Sequence, residues 1–164
     1  MCEIIHSEND RKGSAGRAAL YSSYDRNCFG NIEIKPIGEE PYVTRYDCTD
    51  GIIEYCGEWK HDCMSSFRNF RRTVSKGRAG SRVTVRFHGT GFALTGDSGG
   101  QSAVVSVSLD GGESSTVPLP KSEAREIRYM LHGLEEGNHT AVINVISGEL
   151  SVDAAEVYSK QNNR

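Results

Sequence analysis

Apolar and polar side chains alternate most clearly between Arg82 and Gly112. Val83, Val85 and Phe87 share one phase, and Arg82, Thr84, Arg86 and His88 share the other, as a strand with one buried face requires. The run breaks at Gly89-Thr90-Gly91, resumes as Phe92-Ala93-Leu94, and breaks again at Gly96 to Gly100. It resumes with Val105, Val107 and Leu109 in one phase, and Asp110-Gly111-Gly112 then supplies a turn. Three strands with tight connections predict a meander within one sheet.

The same period of two recurs on both sides. Ile52 to Tyr55 and Asn69 to Ser75 read as strands, separated by Gly57-Glu58-Trp59 and a polar loop from Lys60 to Ser66. Downstream, Ser114 to Leu119 is a short strand, and Ile127, Tyr129 and Leu131 fall in one phase. His132 to Gly137 then reads as a connection whose Leu134 plugs the core. His139 to Ser147 is apolar in both phases, which predicts a central strand covered on both faces. Leu150 to Tyr158 is the last strand. Eight or nine strands at intervals of about 8–12 residues predict an all-β fold, a two-sheet antiparallel β-sandwich of the jelly-roll kind.

Upstream the pattern weakens. Residues 1–40 form a polar segment with two short strands, Ala18 to Tyr21 and Ile32 to Ile34, which cannot bury a core of their own. Glu39-Glu40-Pro41 marks a linker. The expected organisation is therefore residues 1–40, a sandwich over 41–158, and a polar tail at 159–164.

Composition narrows the function. The 164 residues carry a net charge of −3, which argues against a chain whose main task is neutralising phosphates. From Lys60 to Arg86, eight basic residues face one acid, Asp62, with Phe67 and Phe70 interleaved. A single-stranded nucleic-acid groove has that composition, but a solvated sheet face balanced by acids elsewhere explains it equally, and the overall charge favours the latter. No nucleic-acid partner is expected. No apolar run approaches the ~18 residues of a membrane span, and MCEIIHSENDRKGS lacks the features of a secretion signal.

Five cysteines, an odd number with irregular spacing, favour free thiols in a reducing compartment over a disulfide framework. Cys48, Cys56, His61 and Cys63 lack the paired short spacing of structural zinc sites, and burial as small hydrophobes accounts for Cys48 and Cys56. Gly96-Asp97-Ser98-Gly99-Gly100 matches the letters around the nucleophilic serine of trypsin-like proteases. That chemistry needs a histidine base and a buried acid at fixed geometry, and the chain ahead of the motif has room for about one small β domain. A glycine-rich loop explains the five letters.

Five short motifs, taken in order, carry a resemblance. They are Tyr55-Cys56-Gly57-Glu58-Trp59, Phe87-His88-Gly89-Thr90-Gly91-Phe92, Val107-Ser108-Leu109-Asp110-Gly111, Gly133 to Thr140, and Val152-Asp153. Over about residues 42–158 the chain resembles a jelly-roll domain found beside carbohydrate-active enzymes, similar to carbohydrate-binding modules and to the amino-terminal domain of acetylxylan-type esterases. Gly16 to Ile34, within about residues 16–37, resembles the closing strands of the lectin domain of galactocerebrosidase-type glycosidases. These resemblances imply a non-catalytic module that binds a polysaccharide or glycoconjugate and accompanies a catalytic domain of the same or a longer chain, since the paired acids of a glycosidase are not evident.

Sugar rings stack their C–H faces on aromatic rings, and their hydroxyls bond polar side chains. Trp59, with His61 and Asp62 just beyond, is the leading candidate site, set against packing of the indole in the core. Asp97 and Gln101 are the second choice, set against simple loop solvation. Asp153 is a candidate calcium ligand, with a buried hydrogen-bonded carboxylate as the alternative. The competing expectation for the whole chain is a structural sandwich that packs on a catalytic neighbour and binds no free sugar.

Overall fold

Period-two segments become strands in the computed structural model, which describes residues 41–96, 101–121 and 126–160. The strands are β1 (Tyr42–Asp47), β2 (Ile53–Cys56), β3 (Trp59–Asp62), β4 (Val74–Arg78), β5 (Arg82–Gly96), β6 (Ala103–Leu109), β7 (Ser115–Leu119), β8 (Glu126–Val152) and β9 (Ala154–Ser159). One 3-10 turn, Phe70–Arg72, is the sole helical element among the described residues. The described residues form an all-β fold, an antiparallel sheet curled into a sandwich, and every pairing among them is antiparallel. The two short strands expected at 18–21 and 32–34 lie outside the described residues, as do the lectin-like stretch and Asp97 to Gly100.

The core follows the alternation. Val83, Val85, Phe92, Leu94 and Val105 are fully enclosed, with Ile143, Leu150 and Val152 against them. Each such side chain contributes about 1.5–3 kcal/mol relative to exposure. The polar phase of β5, Arg82, Arg86 and His88, faces outward.

Several expectations are corrected. The expected break at Gly89-Thr90-Gly91 is a register shift inside one 15-residue strand. The expected meander is interrupted, because β8 lies between β5 and β6 and pairs with both. β6 pairs with β8 along its whole length, from Ala103 with Gly148 to Leu109 with Ala141. Lys60 to Asp62, expected as loop, belongs to β3, while Asn69 to Thr73, expected as strand, holds the 3-10 turn, and β4 begins at Val74. His139 to Ser147 is covered on one face only, with Ala141, Ile143 and Val145 buried and Ile146 exposed.

Two irregularities in β8 shape the molecule. Leu94 pairs with Tyr129 but Thr95 pairs with Ile127, so Arg128 is an extra residue. The bulge turns Arg128 inward and leaves Ile127 exposed, against the expected phase. Farther along, residues 133–136 loop out opposite Thr90, and Leu134 packs on the core as expected.

Candidate functional site

β3 is the outer strand of the smaller sheet, which runs β3, β4 and the end of β8. Alternation divides its four residues. Trp59 and His61 stand opposite Gly77 and Ser75, while Lys60 and Asp62 stand opposite Lys76 and Val74. The first pair faces the core edge and the second faces outward.

Trp59 is half-buried. Its indole lies over Gly77, where an added Cβ would come within 2.7 Å of the ring, and it meets the Tyr55 ring at 4.6 Å between centroids. Its Nε1–H donates to the Cys56 carbonyl at 3.2 Å. His61 meets Tyr55 edge-on at 5.0 Å, with Nδ1 2.8 Å from the Ser75 hydroxyl. The Tyr55 hydroxyl donates to the Cys48 carbonyl, and burial raises both the Tyr55 phenol and the Cys48 thiol. Cys48 is enclosed as expected for a small hydrophobe, whereas Cys56 is exposed because it occupies the outward phase at the end of β2.

Two hollows flank this strand and share Lys60 and Lys76. One, of about 590 Å³, takes in Glu58, Trp59, Arg78 and Glu149. The other, of about 250 Å³, takes in Asp62, Ser65, Ser66 and Asn69. Trp59 and Asp62 thus stand in adjoining hollows. His61 lines neither, and Gln101 is exposed and also absent from both, its carbonyl 3.5 Å from an Arg128 nitrogen. Asp97 lies outside the described residues. Ser65, Ser66 and Asn69 were not singled out from the sequence, and Lys60 and Lys76 entered only as members of the basic stretch, not as sugar contacts. Reading Trp59 to Asp62 as a strand would have placed Lys60 and Asp62 on one outward face.

The turn beyond Asp62 is firmly built. The Asp62 carboxylate accepts from the Met64 N–H at 2.9 Å, and the Ser65 N–H donates to the Arg72 carbonyl at 2.9 Å. Arg71 and Arg72 both take left-handed backbone (φ 50° and 62°), which costs roughly 1–2 kcal/mol per residue. Phe70 lies under the Arg45 and Arg71 guanidiniums, and Phe67 under that of Arg72. The basic face is balanced in part by acids from elsewhere, with Arg71 near Asp50, Arg78 near Glu149, and Arg86 paired with Glu54.

Asp153 is enclosed between β8 and β9. Its carboxylate accepts from the Phe70 N–H at 2.7 Å and lies 3.4 Å from the Thr95 hydroxyl. Nearby, the buried Asp47 carboxylate accepts from Thr49 and from the Thr73 hydroxyl. Oxygens surrounded by donors are poorly placed for a calcium ion, and among the described residues no group of three or more His, Cys, Asp or Glu could hold a metal.

No protein-family model and no curated protein sequence matches the chain. Solved structures do share its fold. It is similar to part of a family two carbohydrate esterase from Cellvibrio japonicus (TM-score 0.58, 13% identity, 74% of this chain and 35% of that one). It is similar to part of an exo-β-1,3-galactanase from Phanerochaete chrysosporium, solved with β-1,3-galactotriose (TM-score 0.53, 20% identity, 71% of this chain and 29% of that one). It is also similar to a family 35 carbohydrate binding module from Clostridium thermocellum (TM-score 0.54, 11% identity, 71% of this chain and 98% of that one). The matched region therefore spans about a third of each enzyme and nearly all of the module.

Proposed function

We propose that the chain is a non-catalytic carbohydrate-binding module, an accessory domain of a glycoside hydrolase or carbohydrate esterase, that holds a glycan along the outward side of β3 and β4. The observation that carries this reading is the pair of adjoining hollows joined through Lys60 and Lys76, with Trp59, Arg78 and Glu149 among the residues of one and Asp62, Ser65, Ser66 and Asn69 in the other. Closely spaced donors and acceptors suit the hydroxyls of a sugar. The similarity of fold to a carbohydrate binding module over nearly its whole length supports the same reading. Shallow sites of this kind bind in the micromolar to millimolar range.

Calorimetry with galactan, xylan and glucan oligosaccharides tests the proposal. Because Lys60 and Asp62 are exposed, the pair Lys60→Ala and Asp62→Ala should weaken binding at least tenfold while shifting the melting curve only slightly, since the one structural bond lost is the exposed one from the Met64 N–H. No binding to any of these glycans by the wild type would defeat the reading.

A structural role remains the second reading, favoured by one observation. Phe67 and Met64 are 85% and 74% exposed beside Arg68 and Arg72, a composition suited to an interface. In that case Phe67→Ser would weaken association with a catalytic neighbour without altering glycan titrations.

A further inference from the structure

One edge of β5 is paired with β8 for nearly its whole length, but the opposite edge changes partner. β2 pairs with Arg82 to Val85, and β9 pairs with Gly91 to Thr95. Between them the Arg86 N–H donates to the Ile52 carbonyl at 2.9 Å, and there the paired strand ends. The gap opens a cleft of about 350 Å³ with Tyr46, Ile52 and Val157 among its apolar walls and His88, Asn138 and Thr140 among its polar ones. None of its lining residues lines the hollows beside β3.

Each basic group lining the cleft has an acid beside it. Arg86 pairs with Glu54, His88 Nε2 lies 3.6 Å from Glu136, and His139 Nδ1 lies 2.8 Å from Asp110. What remains is neutral. Among the described residues the Tyr46 hydroxyl and the Thr140 hydroxyl have no hydrogen-bond partner, and Asn138 bonds only through its carbonyl oxygen, to His88 Nδ1 at 3.0 Å. Apolar walls, a few uncommitted dual-purpose polar groups and no unbalanced charge describe a site for an uncharged polyhydroxylated ring. The volume sits at the small end of ligand pockets, about 300–1,000 Å³.

We infer that this cleft is a second ligand site, which takes the neutral mono- or disaccharide end of a glycan independently of the groove beside β3. The inference rests on the reading of the chain as a glycan-binding module, and it adds bivalency. A glycan long enough to reach both sites would bind more tightly than its fragments.

Amide-resolved NMR titration with galactose, xylose, glucose and their disaccharides, up to tens of millimolar, tests it. The wild type should show saturable shifts at Phe87, His88, Asn138 and Thr140. These should persist in the Lys60→Ala, Asp62→Ala variant and weaken at least tenfold in Asn138→Ala, Thr140→Val. Tyr46→Phe keeps the ring, removes only the hydroxyl, and should also weaken them. Shifts confined to β3 and β4 would overturn the cleft and leave the groove standing, while cleft shifts without groove shifts would support the cleft and relocate the module's binding. Cleft shifts unchanged in all the cleft variants would overturn the assignment to these groups, and no shift anywhere would overturn both sites.

Discussion

At the scale of single residues, Trp59 and Gly77 behave as one unit, because the indole occupies the space that a side chain at 77 would need. Gly77→Ala should push the ring outward, red-shift the single tryptophan's fluorescence and lower stability by about 1–3 kcal/mol; an unshifted emission maximum would mean that the ring has room to spare. His139 makes a second residue-scale prediction. Its Nδ1 faces the Asp110 carboxylate and its Nε2 the Glu135 carbonyl, two acceptors that favour the doubly protonated ring and raise its pKa from 6.5. The same bond to His139, with the Thr140 N–H, lowers Asp110 from 3.8. A raised histidine stabilises fully below its unfolded value and loses that contribution as pH rises through the folded one. A lowered carboxylate stabilises above its unfolded value and loses it as pH falls. The pair therefore contributes most between 3.8 and 6.5, and the melting-temperature gap between wild type and His139→Gln should be widest there and shrink as pH rises through the raised histidine value. A gap independent of pH would rule this out. Trp59 and Asp62 were legible as a pair because they stand close in sequence. Asn138, Thr140 and Tyr46 were not, since only the register of β5 on β8 and the return of β1 bring them together.

At the scale of elements, β8 holds the two parts of the sheet together. It pairs with β6 as far as Gly148 and with β4 from Glu149 onward, so the strand changes sheets at one residue. Gly148 takes φ 75°, and an added Cβ would meet the Ser102 carbonyl and come within 2.9 Å of the Ala103 Cα. Gly148→Ala should therefore cost at least about 3 kcal/mol, seen as a lower urea midpoint; a loss below 1 kcal/mol would show that the corner can shift. Strand existence was legible wherever alternation was unbroken, as in Val83, Val85 and Phe87. Strand ends were not. Gly89 and Gly91 read as breaks, yet a Cβ at either position would run into a backbone carbonyl, of Tyr158 or of Leu131, so they mark close approach within a continuous strand. Arg128 defeated the phase of Ile127 to Leu131 because a bulge is one uncounted residue, and nothing in a local pattern marks where that residue falls.

At the scale of the whole molecule, the first and last described strands are neighbours. Among the described residues β1 pairs only with β9, from Tyr42 with Ser159 to Asp47 with Ala154, and β9 in turn covers the edge of β5 from Gly91 to Thr95. This order was invisible in the sequence, because a period of two reports which face is buried and not which strand lies alongside. The arrangement makes the end of the chain a central piece of the sheet. Ala154, Ala155 and Val157 are buried, Glu156 pairs with Arg45, and the Cys48 N–H donates to the Asp153 carbonyl at 3.1 Å. A chain ending at Asp153 would leave β1 without a partner strand and expose the edge of β5 over five residues, a cost that the remaining strands cannot offset against a net stability of about 5–15 kcal/mol. It should show no cooperative urea transition and a collapsed spread of amide resonances, unlike the longer wild-type chain. Pairings this distant also imply folding in milliseconds to seconds, so stopped-flow refolding of the longer chain gives a second check. A cooperative transition in the shorter chain would mean that β5 and β8 with β6 close a core without β9.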